Sequence, residues 1–103
     1  MTNKEAEKWA IAETRRITCF VLKGLNVRTW LFGSRSTGTA RSFSDIDIAL
    51  DAGGNPVPRN LLVRLSCALE ESHIPFRVDI VDIHSVNPAV RESIIREGQL
   101  WTD

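Results

Sequence analysis

The sequence predicts an α/β domain with a small mixed sheet of three core strands, packed between helices in the order α-β-α-β-α-β-α. Short segments rich in β-branched and aromatic residues recur at 25–32, 45–50 and 76–83. Apolar residues at helical spacing fill the stretches before, between and after them. Turn and cap residues separate the two kinds of segment: Gly24, Gly33, the run Asp51 to Pro56, Pro75, Asn87-Pro88 and Gly98.

The first helix opens on Thr2, which forms a capping box with Glu5, and carries Ala6, Trp9, Ala10, Ile17, Phe20 and Val21 until Gly24. Its apolar side is expected to cover one face of the sheet. Leu25 to Phe32 forms the first strand, with Trp30 and Phe32 on one face and Leu31 on the other, so the strand is buried on both sides. A short helix and a loop follow between Ser34 and Ser44. Asp45 to Leu50 is the second strand, and Asp51 belongs to the turn after it. Pro58 starts a helix with Leu61, Leu62, Leu65, Ala68 and Leu69 inward, lasting to about Glu71. Phe76 to Ile83 is the third strand, and Asn87-Pro88 caps a last helix with Val90, Ile94 and Ile95 inward. The first two strands are joined by too few residues for a parallel crossover and are expected to be antiparallel, whereas the next connection is long enough for a parallel pair.

With 103 residues, the chain is expected to form one domain spanning 1–103, without a second, substrate-holding one. Thirteen basic residues balance thirteen acidic ones with no basic block, which argues against a broad nucleic-acid surface. Ten of the cations are Arg and three are Lys, a bias that suits phosphate forks and protein interfaces. Cys19 and Cys67 lie in predicted helices without metal-ligand spacing and are expected to be reduced thiols in or near the core. No signal pattern or membrane-length apolar run occurs, so a cytoplasmic protein is expected. His73 and His84 fall in turns, where a surface role outweighs a catalytic one.

Chemistry concentrates between Trp30 and Leu50. Gly33 allows a sharp turn at the strand end, and Ser34 adds a hydroxyl at the start of the next helix, where free amides favour a phosphate. Asp45 and Asp47 are two residues apart on a strand and share a face, while Ile46, Ile48 and Leu50 point into the core. Two adjacent carboxylates repel unless a cation or proton neutralises them, and hard oxygen ligands suit Mg²⁺. Gly33 and Gly38 match the glycine spacing of a Walker A loop, but Thr39 and Ala40 stand where its lysine and Ser/Thr belong. On the third strand, alternation puts Arg77 and Asp79 on one face and Asp82 on the other, so only one of these aspartates can join the site.

Gly33-Ser34, ten further residues, then Asp45-x-Asp47 and an apolar residue resemble the signature of the DNA polymerase beta superfamily of nucleotidyltransferases. With SDIDIAL and the later FRVDIVD, the chain looks most like the minimal nucleotidyltransferase domains often paired with a HEPN-domain protein. The resemblance implies the nucleotidyltransferase fold and makes Asp79 the third carboxylate, with Asp82 left as a structural strand-end residue. It further implies that Asp45, Asp47 and Asp79 are catalytic and hold two Mg²⁺ ions, and that Gly33, Ser34, Arg35, Arg41 and Arg77 bind the nucleotide. The activity it implies is transfer of AMP from ATP to a hydroxyl of a HEPN partner, as the antitoxin of the pair. The alternative is a nucleotide-binding subunit that regulates its partner by complex formation, and self-association into a homo-oligomer fits either role.

Overall fold

The computed structural model describes residues 2–38 and 44–102. In chain order the elements are α1 (Asn3–Val21), β1 (Arg28–Phe32), α2 (Ser34–Thr37), β2 (Ile46–Asp51), α3 (Arg59–Glu70), β3 (Val78–Asp82), α4 (Pro88–Glu97) and β4 (Gln99–Leu100). The sheet order is β3-β2-β1-β4. β1 and β2 run antiparallel, with Phe32 opposite Asp47. β2 and β3 are parallel, with Asp47 opposite Asp79, as the connection lengths require.

Strand alternation gives the sheet two apolar faces. On one, Leu31, Ile46, Ile48 and Leu50 pack with Leu61, Leu65 and Leu69 of α3 and with Ala10 and Leu22. On the other, Ala49, Trp30, Phe32, Val81 and Ile83 meet Ile94 of α4. β2 is therefore apolar on both sides except at its two ends, where Asp47 and Asp51 flank Ala49 on the second face. Ile46, Ile48 and Leu50 have no exposed surface, so the backbone carrying Asp47 is anchored on both sides of that residue.

The sheet has four strands where three were expected. Gly98 leaves α4 so close to other backbone that a Cβ there would lie 2.3 Å from the Ile94 carbonyl oxygen and 3.0 Å from that of Leu31. The chain then returns antiparallel to β1, where the Trp101 N–H donates to the Thr29 carbonyl at 2.8 Å and the Thr29 N–H to Thr102 Oγ1 at 2.8 Å. Two residues are too few to show alternation in a sequence.

Other expectations shift for local reasons. α1 stops at Val21, and β1 starts at Arg28 instead of Leu25, because Gly24 takes φ +78 and throws Leu25 into an exposed turn. The helix buries Ala10, Thr14 and Thr18, three small side chains spaced four apart, and Phe20 is 75% exposed. Thr14 reads as polar in sequence, yet it is fully buried and its hydroxyl donates to the Ala10 carbonyl at 2.7 Å. On α4 only Ile94 is buried, while Val90 and Ile95 face outward. Cys67 is exposed, since it sits on α3 between Leu65 and Leu69 and points away from both; both thiols are free.

Asp51 is the last residue of β2 as well as a turn residue. Its Oδ1 accepts from the Gly53 N–H at 2.9 Å and lies 2.8 Å from Nε2 of half-buried His84. Partial burial raises the Asp51 pKa, but the His84 hydrogen bond, the Gly53 amide and the charges of His84 and Arg28 outweigh it and hold the carboxyl below its ordinary value. A carboxyl with a lowered folded pKa contributes stability above the unfolded pKa, about 3.9, and that contribution is lost as pH falls through the folded value. Asp51→Asn is therefore expected to lower stability near neutral pH, with the deficit shrinking in acid. Urea unfolding of both proteins across this range measures it, and a deficit independent of pH contradicts it.

Candidate functional site

Three carboxylates gather where β2 and β3 begin. Asp47 and Asp79 are direct neighbours across a parallel ladder and so share a face. Asp45 precedes β2 by one residue and lies close enough for its charge to act on Asp47. Partial burial, then the charges of Asp79 and Asp45, push the Asp47 carboxyl above its ordinary pKa. Such a carboxylate is relieved by a cation at this spot.

The Gly33 turn rests directly against this group. Gly33 adopts φ +75 and ψ −156, a region essentially confined to glycine, and a Cβ there would lie 2.5 Å from Asp47 Oδ2. As N-cap of α2 it offers no side-chain acceptor to the first-turn amides; its carbonyl accepts from Ser36 and Thr37 at 3.1 and 3.2 Å. Ser34, half-buried, follows at the first helical position. Amides and a hydroxyl thus stand beside paired carboxylates, a donor set for a phosphate next to an acceptor set for a cation.

Among the described residues, no three His, Cys, Asp or Glu side chains already form a metal cage. Mg²⁺ does not require one, since it is commonly held by one or two carboxylates and completes its shell with water and substrate phosphate. The donors present, hard oxygens on neighbouring strands with one carboxyl already destabilised as an anion, fit that kind of ion.

The other expected site residues divide. Arg77 is exposed just before β3, and its carbonyl accepts from the Ile46 N–H at 2.9 Å. With Asp79 and Glu70 it lines a cavity of about 460 Å³ beside β3, the outer strand of the sheet. Arg41 lies outside the described residues. Arg35, expected to bind the nucleotide, has a side chain that is 2% exposed and engages Glu7, Ser44 and Phe76. Sequence reasoning missed Glu7 and Phe76 as its partners because they meet it only through the tertiary fold. Asp82 takes a structural role at the opposite end of β3, accepting from the Val57 N–H at 2.9 Å and the His84 N–H at 3.0 Å. His73 is exposed.

A mixed sheet with a glycine turn seated on strand-borne aspartates defines a nucleotidyltransferase-type fold. The chain belongs to the family described as Polymerase beta, Nucleotidyltransferase, whose sequence model matches residues 25–102. It is 38% identical over 65 residues to a Haemophilus influenzae protein assigned as the protein adenylyltransferase MntA, covering 63% of this chain and 56% of that one. It is 37% identical over 76 residues to the protein adenylyltransferase MntA of Shewanella oneidensis, covering 70% of this chain and 51% of that one. The chain thus spans about half the length of the curated relatives it matches. A crystal structure of a toxin-antitoxin with AMP-PNP superposes with a TM-score of 0.67 at 26% identity, covering 85% of this chain and 72% of that chain.

Because Gly33 meets Asp47 directly, Gly33→Ala is expected to destabilise the protein by about 1–3 kcal/mol from backbone strain alone. Asp47→Ala removes the oxygen in the way, so the glycine substitution should cost less in that background, with a coupling of about 0.5–3 kcal/mol in a double-mutant cycle. Denaturant unfolding of the four proteins measures it. Additive effects would contradict the contact.

Proposed function

We propose that this protein is a Mg²⁺-dependent nucleotidyltransferase that moves AMP from ATP onto a hydroxyl of a HEPN-domain partner, as the antitoxin of a toxin-antitoxin pair. The observation that carries the reading is the neighbouring placement of Asp47 and Asp79, with the Gly33 turn seated on Asp47. Family membership and the protein adenylyltransferases among its relatives support AMP transfer. The toxin-antitoxin structure with AMP-PNP supports a nucleotide and a toxin partner, and the resemblance to minimal nucleotidyltransferases points to the HEPN class.

In this reading Asp45 and Asp47 hold one Mg²⁺ and share a second with Asp79, while Gly33 and Ser34 bind the β- and γ-phosphates. Bound Mg²⁺ supplies neutralisation of phosphate charge and Lewis acidity. Arg77, exposed on the Asp79 side, orients the carboxylates or the phosphate tail. The acceptor oxygen forms a bond to the α-phosphorus, the bond between that phosphorus and the bridging oxygen to the β-phosphate breaks, and pyrophosphate leaves. Asp79 takes the proton of the acceptor hydroxyl. No helix among the described residues is long and apolar enough to cross a membrane, and a cytoplasmic setting accords with two free thiols.

The test separates binding from transfer. ATP affinity measured calorimetrically should fall when EDTA replaces Mg²⁺, and Asp45→Asn with Asp47→Asn should abolish that difference. Asp79→Asn should bind ATP nearly as wild type does yet lower transfer to the HEPN partner, read as the mass of one added AMP, by about 10²-fold or more. A partner whose mass stays unchanged with wild type, yet whose activity is still blocked, would replace the transferase by a nucleotide-binding regulatory subunit.

A further inference from the structure

We propose that Arg35 is a positioning residue whose buried guanidinium ties together the lead-ins of β2 and β3, bringing Asp45, Asp47 and Asp79 onto one face without touching the nucleotide. The proposal rests on the reading of these carboxylates as one site.

Each partner of Arg35 lies immediately before a site segment or on a helix that braces it. Its Nη2 donates to the Ser44 carbonyl at 2.7 Å, and Ser44 directly precedes Asp45. Its guanidinium carbon lies 4.5 Å from the ring centroid of Phe76, which directly precedes Arg77. Between these two points the strands are already joined, since the Ile46 N–H donates to the Arg77 carbonyl at 2.9 Å. Nη1 lies 3.4 Å from Oε1 of Glu7, which anchors the cation to α1. Arg35 itself hangs from α2, two residues past Gly33. One planar group thus spans α1, α2 and the starts of both acid-bearing strands.

Burial argues for position over ligation. The side chain is 2% exposed, and its Nε has no hydrogen-bond partner among the described residues, so the fold holds this cation largely out of solvent. A guanidinium directed at a triphosphate would stand open to solvent in the free protein. The flat fork also explains the residue type: it can bond Ser44 at one nitrogen, face Glu7 at another and stack on Phe76 at once, whereas the point charge of lysine cannot. On its other side α2 is pinned by Ser36 Oγ, which donates to the Glu97 carbonyl at 2.8 Å. The Gly33-Ser34 turn is consequently braced between α1 and α4.

Amide hydrogen exchange by NMR reads the lead-ins without any nucleotide. In Arg35→Met the Ile46 amide should exchange about tenfold or more faster, while those of Ile48 and Ile80 stay within about threefold of wild type, a local opening. Glu7→Gln should move Ile46 in the same direction, and Arg35→Lys should restore part of its protection. These two variants decide the matter if Arg35→Met does not fold. Calorimetry supplies the second readout: Arg35→Met and Glu7→Gln should weaken ATP binding in Mg²⁺ about tenfold and leave binding in EDTA unchanged. Equal acceleration at all three amides would reduce Arg35 to a contributor to global stability. Unchanged exchange at Ile46, or loss of ATP affinity in EDTA, would equally overturn the proposal, the latter by making Arg35 a phosphate ligand. If the wild-type protein binds no ATP at all, the transferase reading fails, and Ile46 exchange still decides the role of Arg35.

Discussion

The structure turns on a repulsion. Asp47 and Asp79 occupy paired positions on neighbouring parallel strands, and Asp45 adds a third charge at the same end. Like charges directly opposite each other oppose sheet formation. The pairing persists because the remaining positions outweigh it: Ile46, Ile48 and Leu50 are fully buried, and Ile80 and Val78 pack against the same core. The sheet therefore holds the carboxylates in a strained arrangement that they would not adopt alone. A cation would relieve that strain, and the proposed Mg²⁺ preference rests on this strand register.

The two ends of the sheet make a useful contrast. At the far end Asp51 and Asp82 are also acidic and also close a strand, but each is satisfied within the protein, by His84 and Gly53 or by Val57 and His84. Protein donors there hold the Asp51 carboxyl below its ordinary pKa. At the site end burial and neighbouring acids hold Asp47 above it. Composition alone does not distinguish the ends; the supply of donors does.

Much of this was legible in the sequence where a feature is local. The Gly33-Ser34 turn, the antiparallel first pair and the parallel second pair all follow from spacing and connection length, whereas Asp45 stands one residue before β2. The choice of Asp79 over Asp82 required the family resemblance, because alternation separates the two residues without saying which face matters. The structure supplies that face by putting Asp79 opposite Asp47. What could not be read depends on tertiary contact. The contacts of Arg35 with Glu7 and Phe76 form only in the folded chain, Thr14 and Thr18 replace Phe20 as the buried stripe of α1, and β4 depends on the close approach that Gly98 allows.

The central claim, that the start of β2 and β3 is a cation site built from strand register, is tested most directly by titrating Mn²⁺ into the isotopically labelled protein and following paramagnetic broadening of its NMR signals. The account predicts broadening centred on Asp45, Asp47 and Asp79, extending to Gly33 and Ser34, and leaving Asp51, Asp82 and His84 sharp. Broadening centred on Asp51 and His84, or none at Asp47 and Asp79, would contradict it.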